Sequence, residues 1–192
     1  MDERTRRAMA RWPDVPDLYG WLSLDRRGRW RIQGQTISRP HIIETLNRHY
    51  AVDARGCWYF QNGPQRGFVA LEITPFIATA TATGDWVTHT GTELPVPRRL
   101  LMDEEGALAM DVDPGAALIE EEDLFGVIDC LIDESGKPLE DDRLALALSQ
   151  RAGDTGLRWR HASTAVAVIR CDQCDWPEAL GFVRTPSAPP NP

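Results

Sequence analysis

Four short segments share one pattern: an apolar residue, Asp, two further residues, then Gly. They are Leu24-Asp25-Arg26-Arg27-Gly28, Val52-Asp53-Ala54-Arg55-Gly56, Met102-Asp103-Glu104-Glu105-Gly106 and Ile132-Asp133-Glu134-Ser135-Gly136. The pattern is turn chemistry. An Asp at the first turn position bonds the backbone ahead of it, and Gly accepts the left-handed conformation that closes a short hairpin. The spacing repeats, with 28 residues from Asp25 to Asp53 and 30 from Asp103 to Asp133. Self-similarity at a fixed period marks duplicated structure. The pattern therefore predicts an α+β protein made of two tandem copies of an antiparallel hairpin–helix–strand unit, about 90 residues each. The expected boundaries are 1–90 for the first copy, 91–184 for the second, and a disordered Pro-rich tail over 185–192.

The segments between the turns fit this plan. Gly28-Arg29-Trp30-Arg31-Ile32 alternates, as a half-buried strand should, with Trp30 and Ile32 facing inward. Ser38 is a suitable N-cap, and Ile42, Ile43, Leu46 and Tyr50 follow at helical spacing. After the second turn the first copy continues as Cys57-Trp58-Tyr59-Phe60, a turn at Asn62-Gly63-Pro64, and a strand from Phe68 to Ile73. In the second copy Ala107–Met110 reads as a strand. Acid at Glu120–Asp123 suits a helix start, and Leu124, Val127, Ile128 and Leu131 give that helix its apolar face. The second copy then diverges, with a short helix over 143–150 and a hairpin from Leu157–Arg160 into Ala165–Ile169.

Composition excludes several classes. The chain has 42% apolar and 26% charged residues and seven Trp, enough for a core. Its first residues, MDERTRRAMARW, are charged and helix-forming with no apolar stretch behind them, which argues against a secretory signal. The longest aliphatic run, Ala165–Ile169, is far too short for a membrane span. Four Cys without a signal point to reduced thiols and a cytoplasmic protein. Charge is divided unevenly: residues 1–90 carry a net of +3 and residues 91–192 a net of −11. Halves that attract one another, a basic half that meets an anion, and an acidic solvated face each account for this.

The residues Asp25, Gly28, Trp30, Gly34, Ile37, Arg39, Asp53, Gly56, Trp58, Tyr59, Glu72, Pro75 and Phe76 carry a family resemblance. Over residues 18–80 the chain resembles a family of uncharacterised proteobacterial proteins. The resemblance implies a duplicated fold whose C-terminal domain is superficially pleckstrin-homology-like. It also implies a nucleotide-like ligand at the domain interface and a signalling role, with no activity attached. Turn and packing residues make up the motif, so it speaks to fold before function.

Few residues suggest chemistry. Cys171-Asp172-Gln173-Cys174 has the spacing of half a zinc site or a redox dithiol, but no second ligand pair accompanies it, and Trp176-Pro177 close behind suggests a loop. No metal or cofactor is assigned. His41, His49, His89 and His161 are scattered with no nucleophile motif beside them, so no catalytic residue is nominated. Gly63-Pro64-Gln65-Arg66-Gly67 lacks the ending of a phosphate loop. Arginine is more suggestive. Arg29 and Arg31 face out, Arg39 lies at a helix start where unpaired N–H groups favour anions, and Arg66 follows a tight turn. The resulting expectation is a non-enzymatic module that binds a small anionic ligand between the repeats, through Arg39, Gln61, Asn62, Arg66 and His89. Two alternatives stand beside it: an enzyme using His89 or His41 as general base, and an adaptor docking through its acidic half. Neither nucleic acid nor membrane is an expected partner, given the net charge of −8 and no basic aromatic stripe.

Overall fold

A computed structural model describes residues 17–139 and 141–189, which divide into two units. The charged N-terminal stretch, Glu140 and residues 190–192 lie outside the described residues. The first unit comprises residues 17–75 and 182–189, and the second residues 76–181.

In the first unit each Asp turn joins two strands. Strand β1 (Leu18–Leu24) leads into β2 (Trp30–Ile32) through Asp25, whose Oδ1 accepts the N–H groups of Arg27 at 3.0 Å and Arg29 at 2.9 Å. Gly28 closes the turn at φ 72°. Strand β3 (Gln35–Thr36) and helix α1 (Pro40–Arg48) follow, then β4 (Tyr50–Val52), β5 (Trp58–Asn62) and β6 (Gln65–Leu71). Asp53 holds the β4–β5 turn in the same way, accepting N–H from Arg55 and Cys57. The strands form one six-stranded sheet in the order β3-β2-β1-β6-β5-β4. All neighbours are antiparallel except β1 and β6, which run parallel.

Helix α1 packs its apolar stripe on one face of this sheet. Leu46 is buried, and Trp30, only 1% exposed, donates its indole N–H to Asn47 Oδ1 at 2.7 Å. The helix begins one residue later than Ser38 suggests: Arg39 occupies the N-cap and Pro40 the first turn, where a missing N–H does no harm. It also ends before Tyr50, which opens β4 and meets Trp30 edge-on at 5.0 Å, with its hydroxyl donated to Pro75 O. Ile32 shares the face of Trp30 but lies 45% exposed beyond the end of the core. Residues 182–184 return to this unit, where Arg184 O accepts from Leu71 N–H and Val183 N–H donates to Gly56 O.

The second unit holds a nine-stranded sheet. Its strands are β7 (Phe76–Ala80), β8 (Trp86–Thr88), β9 (Glu93–Leu94), β10 (Arg99–Met102), β11 (Leu108–Asp111), β12 (Ala117–Ile119), β13 (Leu131–Ile132), β14 (Gly153–His161) and β15 (Thr164–Arg170), in the order β13-β14-β15-β10-β11-β12-β7-β8-β9. Helix α2 (Glu121–Ile128) precedes β13, and α3 (Asp141–Ser149) precedes β14. Asp103 and Asp133 form their turns as Asp25 and Asp53 do, accepting N–H two and four residues ahead. Residues 76–90, grouped with the first half from sequence, form β7, β8 and the turn beyond them in this second unit. Trp176-Pro177 is not in a loop but opens helix α4 (Trp176–Leu180), since proline is tolerated in a first helical turn. Within the tail, residues 185–189 are described, with Pro186 buried. Among the described residues no helix is long and apolar enough to cross a membrane.

Candidate functional site

The concave feature of the first unit lies between α1 and the sheet. Pairing register builds it. Leu18 on β1 faces Gly67 on β6, and Gly67 faces Phe60 on β5, so the three side-chain positions form one row across neighbouring strands. The middle position has no side chain. An added Cβ at Gly67 would meet nothing within 4 Å, and its φ lies outside the left-handed range, so any residue fits the backbone there. What glycine supplies is the hollow. Above it Ile42 and Leu46 of α1 form the roof, Leu22 and Ile32 close one side, and His41, Thr45, Asn62 and Gln65 edge the opening. The cavity measures about 310 Å³.

A bulge in β1 completes the rim. Between Leu18 and Leu22 the strand spends three residues against the single Phe68 between Gly67 and Val69. Gly20, at φ 74°, absorbs the extra length. The excess brings Trp21 to the cavity with 53% of its surface exposed, held by its carbonyl accepting from Gln33 N–H. Trp21 shares the rim with Leu18 and Ile32, also exposed, and such a contiguous apolar patch on a folded chain commonly marks a binding surface.

The five residues named from sequence do not gather here. Asn62 borders the cavity, facing Gln65 across the β5–β6 hairpin. Gln61 points to the other face, and its amide donates to Gly63 O at 2.7 Å and Gln65 O at 3.3 Å, which holds the turn together. Arg66, one residue from Gln65, also lies on the other face by strand alternation. Its guanidinium lies 5.4 Å over Tyr59 and 6.0 Å over Phe68, and its Nε lies 3.5 Å from Asp17. Arg39 is exposed at the start of α1. That start offers little to an anion, because Pro40 has no N–H and those of Ile42 and Ile43 donate to Arg39 O. His89 belongs to the second unit, where its Nδ1 accepts from Ile77 N–H at 3.3 Å and burial pushes its pKa down to about 4. Arg29 and Arg31 face out as expected but clamp Asp25, at 2.8 and 2.9 Å.

The second unit has a larger, more polar hollow of about 540 Å³ beside α2. Trp159 lies beneath it, with His161 stacked at 4.5 Å and Trp86 edge-on at 5.9 Å. Both indoles are buried, and two of its three acids are engaged: Asp123 accepts from Ala80 N–H and Asp85 from the Thr83 hydroxyl. The Cys171 and Cys174 thiols are held above their usual pKa, first by burial and then by Asp175 and Asp172, which leaves them unactivated. Among the described residues no three His, Cys, Asp or Glu side chains converge as metal ligands.

Of the five ligand contacts named from sequence, Asn62 alone borders this hollow; Trp21, Ile32 and Gly67, which line it, were not among them. The one available signal for Gly67 was a glycine inside an alternating strand, which marks a bulge as often as a close approach.

A family model named DUF2944 and described as "Protein of unknown function (DUF2946)" matches residues 1–187. No curated protein matches. The crystal structure of a DUF1285 family protein from Silicibacter pomeroyi DSS-3 is similar in fold, with a TM-score of 0.53 and 17% identity over 80% of this chain and 82% of that one.

Proposed function

We propose that this chain, which belongs to the DUF2944 family, is a non-enzymatic small-ligand-binding protein whose site is the hollow between α1 and the first sheet. The carrying observation is Gly67. In an ordinary strand conformation, walled by Leu18 and Phe60 and roofed by α1, it leaves a hollow where any larger residue would give a filled core. The volume of about 310 Å³ sits at the lower end of small-molecule pockets. Among the described residues the lining has one imidazole, one hydroxyl and two carboxamides, with no carboxylate or thiol to act beside His41. That inventory suits holding a molecule better than transforming one, and we assign binding a regulatory or signalling output.

The same reading treats the protein as a duplication. Supporting it, β10 to β15 of the second unit have the order β13-β14-β15-β10-β11-β12, the mirror listing of β3-β2-β1-β6-β5-β4. In both, the first strand pairs in parallel with the last, and Asp turns follow the first and fourth strands. On this proposal the hollow over Gly67 belongs to the first copy, because at the matching place in the second Val166 faces Trp159.

Fragment screening by ¹⁵N-resolved NMR tests the binding function. Binding fragments should shift the amides of Gly67, Gln65 and Thr45, and Gly67→Val should abolish those shifts while keeping the folded spectrum. A library that leaves the hollow silent, or hits indifferent to Gly67→Val, would overturn the assignment.

A further inference from the structure

Resting on the binding reading above, we infer that the ligand is a neutral, flat, two-ring molecule with a hydrogen-bonding edge. Charge comes first. Among the described residues no Lys, Arg, Asp or Glu lines the hollow, and Arg66 is turned to the opposite face against Tyr59 and Asp17. The one imidazole in the lining, His41, is exposed at the opening, so a carboxylate or phosphate over Gly67 would lose its water without a buried counter-charge, which disfavours it. The start of α1 offers no compensation, since the N–H groups of Ile42 and Ile43 donate to Arg39 O.

Shape comes second. A dry cavity of roughly 150 Å³ is enough for one benzene ring, so about 310 Å³ takes two fused rings. The hollow over Gly67 is one residue wide between Leu18 and Phe60, and Trp21 presents an indole at the rim. Aromatic rings stack favourably against such a surface. A flexible chain of equal volume would lose its rotamer freedom on entry, whereas a rigid ring system has little to lose.

The polar edge comes third. Asn62 stands at the hairpin end of the hollow, and a carboxamide both donates and accepts. It therefore matches an amide, lactam or ring nitrogen on an otherwise apolar body.

Three probes separate these elements: 2-naphthamide, 2-naphthoate and decanamide. The first has the ring and the neutral edge, the second the ring with a charge, the third the edge on a flexible chain. Each is titrated into the full chain by NMR, with Gly67→Val to identify binding in the hollow and Asn62→Ala to remove the edge contact. The expected result is saturable binding of 2-naphthamide, at least tenfold weaker binding of the other two, and a five- to tenfold loss in Asn62→Ala. Equal or tighter binding of 2-naphthoate, blocked by Gly67→Val, would overturn neutrality while leaving a ligand site. Equal binding of decanamide would overturn planarity in the same way. If none of the three reaches the hollow while library fragments do, this inference alone fails; silence from both probes and library overturns the binding function as well.

Discussion

Replacing Asp25 by Ala should lower the stability of the protein by about 3 kcal/mol, because one carboxylate serves four donors. Its Oδ1 accepts two backbone N–H groups, from Arg27 at 3.0 Å and Arg29 at 2.9 Å. Each such bond is worth about 1 kcal/mol net. Its Oδ2 takes Arg29 Nε at 2.8 Å and Arg31 Nη2 at 2.9 Å. Those guanidiniums are partly exposed and regain water when the carboxylate leaves, so they add only about 0.5 kcal/mol each. The sum is a large share of the roughly 5–15 kcal/mol that holds a domain together. A pH signature accompanies it. Burial of Asp25 pushes its pKa up, but the N–H and guanidinium of Arg29 and the N–H of Arg27 outweigh this and hold it below the ordinary value. A carboxyl depressed on folding stabilises above the unfolded value of about 3.9, and that contribution disappears as pH falls through the folded value. Urea unfolding followed by Trp fluorescence at pH 7 and at pH 3 measures both effects. A loss under about 1 kcal/mol at pH 7, or an unchanged gap between wild type and Asp25→Ala at pH 3, would refute the account of the turn.

Two further outcomes are expected. Burial pushes the His89 pKa down to about 4, below its ordinary value of 6.5, so the unfolded chain binds its proton first and stability should fall by roughly 3 kcal/mol between pH 6.5 and 4; urea titrations should show His89→Gln losing that part of the slope. Arg66→Ala removes an ion pair and two cation–π contacts at a half-exposed site, so thermal melting should register less than about 1 kcal/mol. The same variant should bind fragments in the hollow as wild type does, whereas tenfold weaker binding would restore Arg66 to the site.

The turns were legible because their chemistry is local. Asp and Gly three residues apart carry both the hydrogen-bond acceptor and the positive φ, and Gly28, Gly56, Gly106 and Gly136 all adopt it. Helix α1 was legible in its apolar spacing but not at its ends, where Pro40 set the start and the aromatic contacts of Tyr50 drew that residue into β4. The parallel contact of β1 with β6 left no trace, since it joins residues far apart in sequence. Without that register, alternation could not say on which face Arg66 or Gln65 falls. The candidate site was hidden for the same reason. Gly67 becomes a hollow only once Leu18 and Phe60 stand on either side of it, and Trp21 reaches the rim only through a bulge that the pairing reveals.

The return of residues 182–184 to the first unit postpones that unit's completion until the second unit has also been made. The second unit occupies residues 76–181, so the two units are completed within three residues of one another. The first unit, although made earlier, waits for Arg184 to accept from Leu71 N–H, for Val183 to reach Gly56 O and for Phe182 to be buried. Translation at roughly 5–20 residues per second turns that wait into several seconds. Through that interval the backbone groups at Leu71 and Gly56 lack their final partners.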